Sequence, residues 1–107
     1  MAQLCGATVH FFTALGRDAI GERSRVELEA RGLEVHVAWR DAATRRGVSM
    51  VDPGGDRAIT VIGERLQPNA SDPLPWTLLR DCDAVFVTAA DPKALQVCRS
   101  ARVMTAT

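Results

Sequence analysis

The sequence has no excess of charge of either sign, since its 107 residues include 13 basic and 13 acidic side chains. Proteins that bind nucleic acid or an acidic membrane surface by electrostatics usually carry clustered positive charge. The balance excludes a large basic surface, and we expect no nucleic-acid partner. Hydrophobic residues make up 47% of the chain, which is enough for a folded core and argues against disorder.

Cysteine and histidine are too few and too scattered to form a recognisable motif. The cysteines, Cys5, Cys82 and Cys98, form no CxxC pair, and His10 and His36 lie far apart in the sequence. This pattern argues against a disulfide framework and predicts no metal site. We expect free thiols, buried or half-buried, in a reducing compartment, which indicates the cytoplasm.

Long apolar runs are absent as well. No hydrophobic stretch approaches the ~20 residues that a membrane-spanning helix needs. The amino terminus shows no charged segment followed by an apolar signal core. We therefore expect a soluble protein with no membrane partner.

The first structural signal is an apolar strand followed by a glycine-containing turn and a helix. The run from Val9 to Leu15 has little polar alternation, which is typical of a strand buried on both faces in a parallel sheet. Asp18 stands at an N-cap position after it. The helix is predicted to extend to about Arg31, with Gly32 as its C′ residue.

Residues 33–62 have a different period. Apolar and polar side chains alternate over residues 33–40, 48–50 and 58–61. Alternation with one polar face is typical of antiparallel strands that have one side in water. The segment Asp52-Pro53-Gly54-Gly55-Asp56 predicts a turn between the last two strands. We therefore predict a separate three-stranded flap, or lid, over residues 33–62.

The last part of the chain returns to helices and apolar strands. Residues 75–80 are predicted to form a short helix, 84–88 a strand, 93–99 a helix capped by Asp91-Pro92, and 103–106 a strand. The order predicts an α/β fold, in which residues 7–32 and 76–107 form a parallel-sheet core beside the antiparallel lid. Three parallel strands cannot cover both faces of their sheet, so we expect a truncated reading frame or a partner chain.

A set of short motifs, in this order, resembles the PfkB/ribokinase family of carbohydrate kinases: Gly16-x-Asp18-x-x-Gly21, Gly32-Leu33, Thr44, the strand from Gly47 to Val51, and the strand from Asp83 to Val87. The resemblance covers nearly the whole chain. It implies a partial ribokinase-like fold and transfer of the ATP γ-phosphate to a sugar or nucleoside hydroxyl. It also implies a lid that closes over the substrate and excludes water.

The resemblance further assigns a substrate-binding role to four residues. Gly47, Ile59 and Val61 match lid positions that lie near the sugar in relatives. Many relatives carry a sugar-binding acid at the end of the strand that closes here at Ala90, and Asp91 stands beside that position.

A structural role is implied for another four. Gly16, Asp18 and Gly21 match the turn that supports the first strand, and Thr44 matches a motif threonine at the start of the flap.

Two segments of the family are not matched. In relatives a Gly-Gly substrate motif precedes the first strand, and a Gly-Ala-Gly-Asp segment supplies the anion hole and the catalytic base; neither stands at those places here. The resemblance therefore assigns no catalytic residue. ATP and Mg²⁺ are the family's cofactors, but we expect neither to bind this chain strongly, and we predict that the chain alone is inactive.

Other interpretations remain open. Asp18 and Asp91 could act only as helix caps, and Ile59 and Val61 only as packing residues of the lid. The alternative function is a non-catalytic interaction module, in which the apolar face of the lid forms a homodimer. A small flavodoxin-like or Rossmann-like binding domain is a third option, although a glycine-rich phosphate loop after the first strand is absent.

Overall fold

The computed structural model describes residues 3–107. Each helix and strand predicted from the sequence is present, with ends that differ from the prediction by a residue or two. In chain order the elements are β1 (His10–Gly16), α1 (Ala19–Ala30), β2 (Glu34–Arg40), β3 (Arg46–Val51), β4 (Arg57–Ile62), β5 (Ala84–Val87), α2 (Pro92–Cys98) and β6 (Val103–Ala106), with 3₁₀ turns at Gln3–Cys5 and Trp76–Asp81.

Strands β1 and β2 form a parallel pair connected by α1. His10 lies beside Glu34 at one end of the pair, and Gly16 lies beside Arg40 at the other. Parallel strands need a crossover of this kind, because their ends lie on opposite sides of the sheet. Ala14 and Ala38 are buried in the middle of the pair.

The pairing predicted for residues 33–40 is wrong. We expected an antiparallel lid strand because one face of this segment is polar, but β2 pairs in parallel with β1. Its polar side chains have partners of their own: Glu34 lies within salt-bridge distance of His10, and Arg40 pairs with Asp72. Among the described residues the antiparallel part of the chain therefore has two strands, not three.

Strands β3 and β4 form this antiparallel hairpin. Gly47 lies beside Val61, and Ser49 lies beside Ile59. The turn is closed by Asp52, whose backbone N–H donates to Asp56 O (3.0 Å) and whose Oδ1 accepts from Asp56 N (2.9 Å). This confirms the predicted turn. Every residue of both strands is exposed, so the hairpin projects from the rest of the molecule.

Both ends of α1 are capped as predicted. Asp18 is the N-cap, and its carboxylate accepts from Gly21 N. Gly32 follows the helix with a φ of 82°, a left-handed conformation that glycine adopts at little cost, and its N–H donates to Glu29 O (2.9 Å). These two residues fix where the chain leaves β1 and where it enters β2.

The core of the second half is small. Leu79, Val87 and Cys98 are buried together, and Phe12 of β1 and Trp76 pack against them. The ring centres of Phe12 and Trp76 are 5.4 Å apart, so this contact joins the two halves of the chain. Strands β5 and β6 pair in parallel, but Phe86 and Val103 are 65% and 57% exposed. These two strands are therefore not buried on both faces.

The chain has more surface than a compact domain of its mass. Its accessible area is 7621 Å², whereas a compact domain of 11.6 kDa exposes about 5,800 Å². Its radius of gyration is 15.5 Å, against about 13 Å expected for this length. The projecting hairpin and the open faces of β5 and β6 contribute to this surplus.

Two further findings bear on the type of protein. Within residues 3–107 no helix is both long enough and apolar enough to span a membrane. The cysteines are unpaired, as expected, but Cys5 is exposed rather than buried or half-buried.

Candidate functional site

The turn from β1 into α1 meets the start of the hairpin at one point. Asp18 Oδ1 accepts hydrogen bonds from Gly21 N and Thr44 Oγ1, both at 2.7 Å, and Oδ2 accepts from Thr44 N, also at 2.7 Å. Gly16 N donates to Thr44 Oγ1 at 3.0 Å. We call these four residues the junction, because they connect the carboxyl end of β1, the first turn of α1 and the segment that leads into the hairpin.

The glycines of the junction leave no room for a side chain. A Cβ atom at Gly16 would lie 2.2 Å from Ala42 O and 2.5 Å from Thr44 N. A Cβ atom at Gly21 would lie 2.2 Å from Gly16 O and 2.9 Å from Thr44 Oγ1. The close approach of three backbone segments therefore requires glycine at both positions.

The junction keeps Asp18 ionised. The hydrogen bond from the Thr44 backbone amide, followed by those from the Gly21 amide and the Thr44 hydroxyl, holds the pKa of Asp18 below its ordinary value. Because both carboxylate oxygens already accept from protein donors, Asp18 is poorly placed to act as a base or to bind a cation. The geometry fits an anchor for the hairpin.

Three of the predicted substrate residues lie together on the hairpin. Gly47 and Val61 are cross-strand partners, and Ile59 lies two residues from Val61 on the same face of β4. Ile59 is 58% exposed and Val61 is 47% exposed, and a Cβ at Gly47 would meet open space. This face is therefore available to a ligand or to another protein surface.

Asp91 lies elsewhere, at the carboxyl end of β5. Its Oδ1 accepts from Ala94 N, which makes it the predicted N-cap of α2, and also from Ala70 N, each at 3.1 Å. Among the described residues both hydrogen bonds of this carboxylate are made by Oδ1.

A shallow groove of about 260 Å³ adjoins Asp91. It is lined by nine residues from the carboxyl ends of β5 and β6, the loop after β4, and α2: Arg65, Gln67, Val87, Thr88, Ala89, Ala90, Leu95, Ala106 and Thr107. A larger concavity of about 380 Å³ lies at the tip of the hairpin. It is formed by the exposed residues Met50–Asp52 and Asp56–Ala58. We take the groove as the candidate site, because ligands of open α/β sheets bind at the carboxyl ends of strands.

Two polar contributions to this region were not predicted from the sequence. Arg65 lines the groove and donates to Thr88 O at 3.3 Å. Arg40 makes a two-pronged ion pair with Asp72, at 2.7 Å for each oxygen, and donates to Gln67 O at 2.8 Å. Arg65 lies in a polar loop for which the sequence pattern predicts no contacts. Arg40 was assigned to the lid, so its contacts with the loop could not be foreseen.

The described residues do not fit ATP or Mg²⁺. The groove offers Arg65 as its cation, and the first amides of α2 include Ala94 N, which already bonds Asp91. A triphosphate needs several positive or N–H donors, and Mg²⁺ needs free carboxylate oxygens. No phosphoryl-transfer step is assigned to these residues.

Comparison with known proteins identifies the fold. No family model matches the sequence, and no curated protein is significantly similar to it. Among solved structures, a ribokinase from Giardia lamblia superposes with a TM-score of 0.64 at 15% sequence identity, over 88% of this chain and 33% of that one. A ribokinase from Thermotoga maritima gives a TM-score of 0.55 at 18% identity, over 74% of this chain and 26% of that one.

The chain thus has a partial ribokinase-like α/β fold, with parallel strand pairs and an antiparallel hairpin. It spans about a third or less of the length of these two ribokinases. The predicted fold class is confirmed.

Proposed function

We propose that this chain forms the lid and part of the substrate-binding layer of a ribokinase-type kinase, which transfers the γ-phosphate of ATP to a sugar or nucleoside hydroxyl. The observation that carries the proposal is the junction. It fixes an exposed hairpin to the carboxyl end of β1, where ligands of open α/β sheets bind. The ribokinase-like fold supports the same function.

Each candidate substrate residue has a chemical role in this proposal. Ile59 and Val61 form an apolar wall against the carbon face of the sugar ring, and Gly47 leaves the space beside them open. Asp91 accepts a hydrogen bond from a sugar hydroxyl, and such bonds to a carboxylate are stronger than neutral ones. The lid acts by excluding water from the transferred phosphate.

ATP and Mg²⁺ are the cofactors of the proposed kinase as a whole. We assign neither cofactor, nor the catalytic base, to a residue of this chain. The chain alone is therefore expected to form no sugar phosphate from ATP and Mg²⁺ in a coupled ADP-release assay. Measurable turnover with any sugar or nucleoside would show that this chain does supply the cofactor site and the catalytic base.

Substrate binding can be tested without catalysis. We expect ligand-observed NMR with a panel of pentoses, hexoses and nucleosides to detect binding of at least one of these compounds. Asp91→Asn should abolish this binding, because asparagine keeps the N-cap oxygen but replaces the other carboxylate oxygen, which would accept from the sugar hydroxyl, by an NH₂ group. Asp83→Asn is the matched control, since Asp83 is exposed and lies outside the groove. Absence of binding throughout the panel at millimolar concentrations would contradict the proposal.

A second candidate function is a homodimerisation module. The observation that favours it is the exposure of apolar side chains on both faces of the hairpin, with Val51, Ile59 and Val61 on one and Val48, Met50 and Ile62 on the other. An isolated two-stranded hairpin is at best marginally stable in water, so its apolar faces require a cover. In this alternative the cover is the hairpin of a second copy.

We place the protein in the cytoplasm, with no nucleic-acid or membrane partner. The unpaired state of Cys5, Cys82 and Cys98 supports a reducing compartment. The balance of 13 basic and 13 acidic residues supports the absence of a nucleic-acid surface.

A further inference from the structure

Three potential metal ligands lie together at the amino-terminal end of the β1–β2 pair. His10 Nδ1 is 3.2 Å from His36 Nε2 and 3.1 Å from Glu34 Oε2. All three ligand atoms lie within 4.8 Å of one another. We call His10, Glu34 and His36 the His–Glu cluster.

The parallel register brings these residues together. Glu34 is the strand partner of His10, and His36 is the partner of Phe12, two residues further along β1. Side chains two residues apart on a strand point to the same face. The cluster is therefore built on two paired strands rather than on a loop, which favours a fixed geometry.

The histidine rings face each other through their nitrogens. Their planes differ by 22° and their centres are 5.4 Å apart, while the facing nitrogens are 3.2 Å apart. The distance between the ring centres exceeds the distance between the facing nitrogens by about twice the distance from the centre of an imidazole ring to its nitrogen. Both nitrogens therefore lie close to the line that joins the ring centres. The rings therefore meet edge to edge, with His36 also packed against the ring of Phe12 at 4.9 Å.

Hydrogen bonding alone leaves part of this cluster poorly satisfied. A ring nitrogen carries at most one hydrogen, so His10 Nδ1 can donate well to His36 or to Glu34 but not to both. The acceptor at the other close contact then has no hydrogen directed at it. A cation placed between the three atoms would accept a lone pair from each of them.

The spacing also agrees with metal coordination. Ligand atoms about 2.0–2.1 Å from a tetrahedral metal ion lie about 3.3 Å from one another. Two of the three separations, 3.2 and 3.1 Å, are close to this value, and the third lies within 4.8 Å. Small rotations of the rings about χ2, a broad torsion in histidine, would direct both nitrogens to one point. Glu34 is 59% exposed, which leaves a path by which an ion can enter.

We propose that His10, Glu34 and His36 bind a divalent transition-metal ion, with Zn²⁺ as the preferred ion. Imidazole nitrogens favour ions of this class over Mg²⁺ and Ca²⁺. Three protein ligands leave a fourth tetrahedral position for water or for an external ligand. Because the ligands come from two strands, the bound ion cross-links β1 to β2.

The proposed site is separate from the proposed kinase function. It lies at the amino ends of β1 and β2, whereas the junction lies at the carboxyl end of β1. Neither proposal depends on the other.

The test is isothermal titration calorimetry of the untagged 107-residue chain with Zn²⁺, in a Cys5→Ser background because Cys5 is exposed. We expect binding of one ion per chain and a rise in the thermal unfolding midpoint, since a ligand that binds only the folded state stabilises it. Glu34→Gln and His36→Gln should each weaken binding by more than ~10–100-fold. That range is the usual effect of replacing a residue that only hydrogen-bonds to a metal ligand, and loss of a ligand itself should cost more. The exposed Glu64→Gln is the matched control and should bind as the parent chain does.

The test remains decisive if His36→Gln folds poorly. Glu34 is exposed, so Glu34→Gln is expected to leave the fold intact. Co²⁺ provides a second readout, because its visible absorption distinguishes nitrogen and oxygen ligands from thiolates. Absence of Zn²⁺ binding, binding that Glu34→Gln leaves unchanged, a thiolate spectrum, or equal affinity for Mg²⁺ would each overturn the proposal.

Discussion

At Thr44 one residue connects three segments of the backbone. Its hydroxyl accepts from Gly16 N and donates to Asp18, and its amide donates to the same carboxylate. Thr44 as a whole is 7% exposed, so water cannot replace these partners easily. The hydroxyl, rather than the size of the residue, is the feature that the site requires.

Replacement of Thr44 by valine should therefore destabilise the chain. The variant keeps the shape but leaves Gly16 N without its acceptor and Asp18 without one donor, and an unsatisfied buried group costs about 1–3 kcal/mol. Thr44→Ser keeps the hydroxyl and is the matched control. Urea unfolding measures both; equal losses of unfolding free energy in the two variants would show that the methyl group, not the hydroxyl, matters.

The His–Glu cluster illustrates the limit of sequence analysis at this scale. His10 and His36 are separated by 26 positions, and the chemistry appears only when their strands are paired in parallel. The sequence predicts no metal site because His10 and His36 lie far apart along the chain, and the antiparallel lid strand predicted for residues 33–40 gives no reason to bring them together. The alternation Glu34-x-His36 was the available signal.

At the scale of elements, the hairpin is a unit that no other described element covers. Both of its strands are exposed along their whole length, and apolar side chains lie on both faces. Its register places Val51, Ile59 and Val61 on one face, opposite the face that carries Thr60.

If the hairpin forms a homodimer through the face of Ile59, a charge there should prevent association. We expect light scattering to show a concentration-dependent dimer for the parent chain and a monomer for Ile59→Asp, because burial of an unpaired carboxylate is costly. Thr60→Asp places the same charge on the opposite face and should leave the dimer intact. A parent chain that stays monomeric would remove this alternative function.

At the scale of the whole molecule, the Arg40–Asp72 ion pair joins β2 to the loop that follows the hairpin. It is the most buried ion pair among the described residues, with side chains 24% and 11% exposed. The guanidinium of Arg40, followed by the amide of Asn69, holds the pKa of Asp72 below its usual range. Asp18 at the junction is shifted in the same direction.

These shifts predict an acid-sensitive fold. A carboxyl group whose pKa is lower in the folded state stabilises the fold above its unfolded pKa and loses that effect as the pH falls through the folded value. The stabilisation by Asp18 and Asp72 should therefore be complete and independent of pH near neutrality, and the free energy of unfolding should decrease below about pH 4, near the ordinary aspartate pKa. Chemical unfolding across pH 7 to 3 measures this dependence.

Asp72→Asn should separate the ion pair from other causes. At neutral pH we expect a loss of about 1–3 kcal/mol, the usual contribution of hydrogen bonds to charged groups, together with a weaker acid dependence. Asp83→Asn is the matched control, because its pair with Arg102 is 92% and 81% exposed and such pairs contribute little. Equal effects of the two substitutions would contradict a structural role for the Arg40–Asp72 pair.

The sequence by itself determined the local structure. Period-two and apolar runs located every strand, Asp18 and Asp91 marked the helix starts, and Gly32 marked a helix end. These features depend on hydrogen bonds and side-chain directions among residues that are close in the sequence, so a short stretch of sequence is enough to predict them. The resemblance carried by the short motifs added the ribokinase-like fold, which the superpositions confirm.

Only the tertiary structure decided which strands pair and which distant side chains meet. The polar face of β2 is the same whether water, another strand or a loop covers it, so its pattern could not distinguish a lid strand from a core strand. The parallel pairing with β1 shows that β2 is a core strand. The same packing brings together the junction contacts of Thr44, the Arg40–Asp72 pair and the His–Glu cluster. These contacts join residues more than twenty positions apart, and their partners are fixed by the packing of the whole chain.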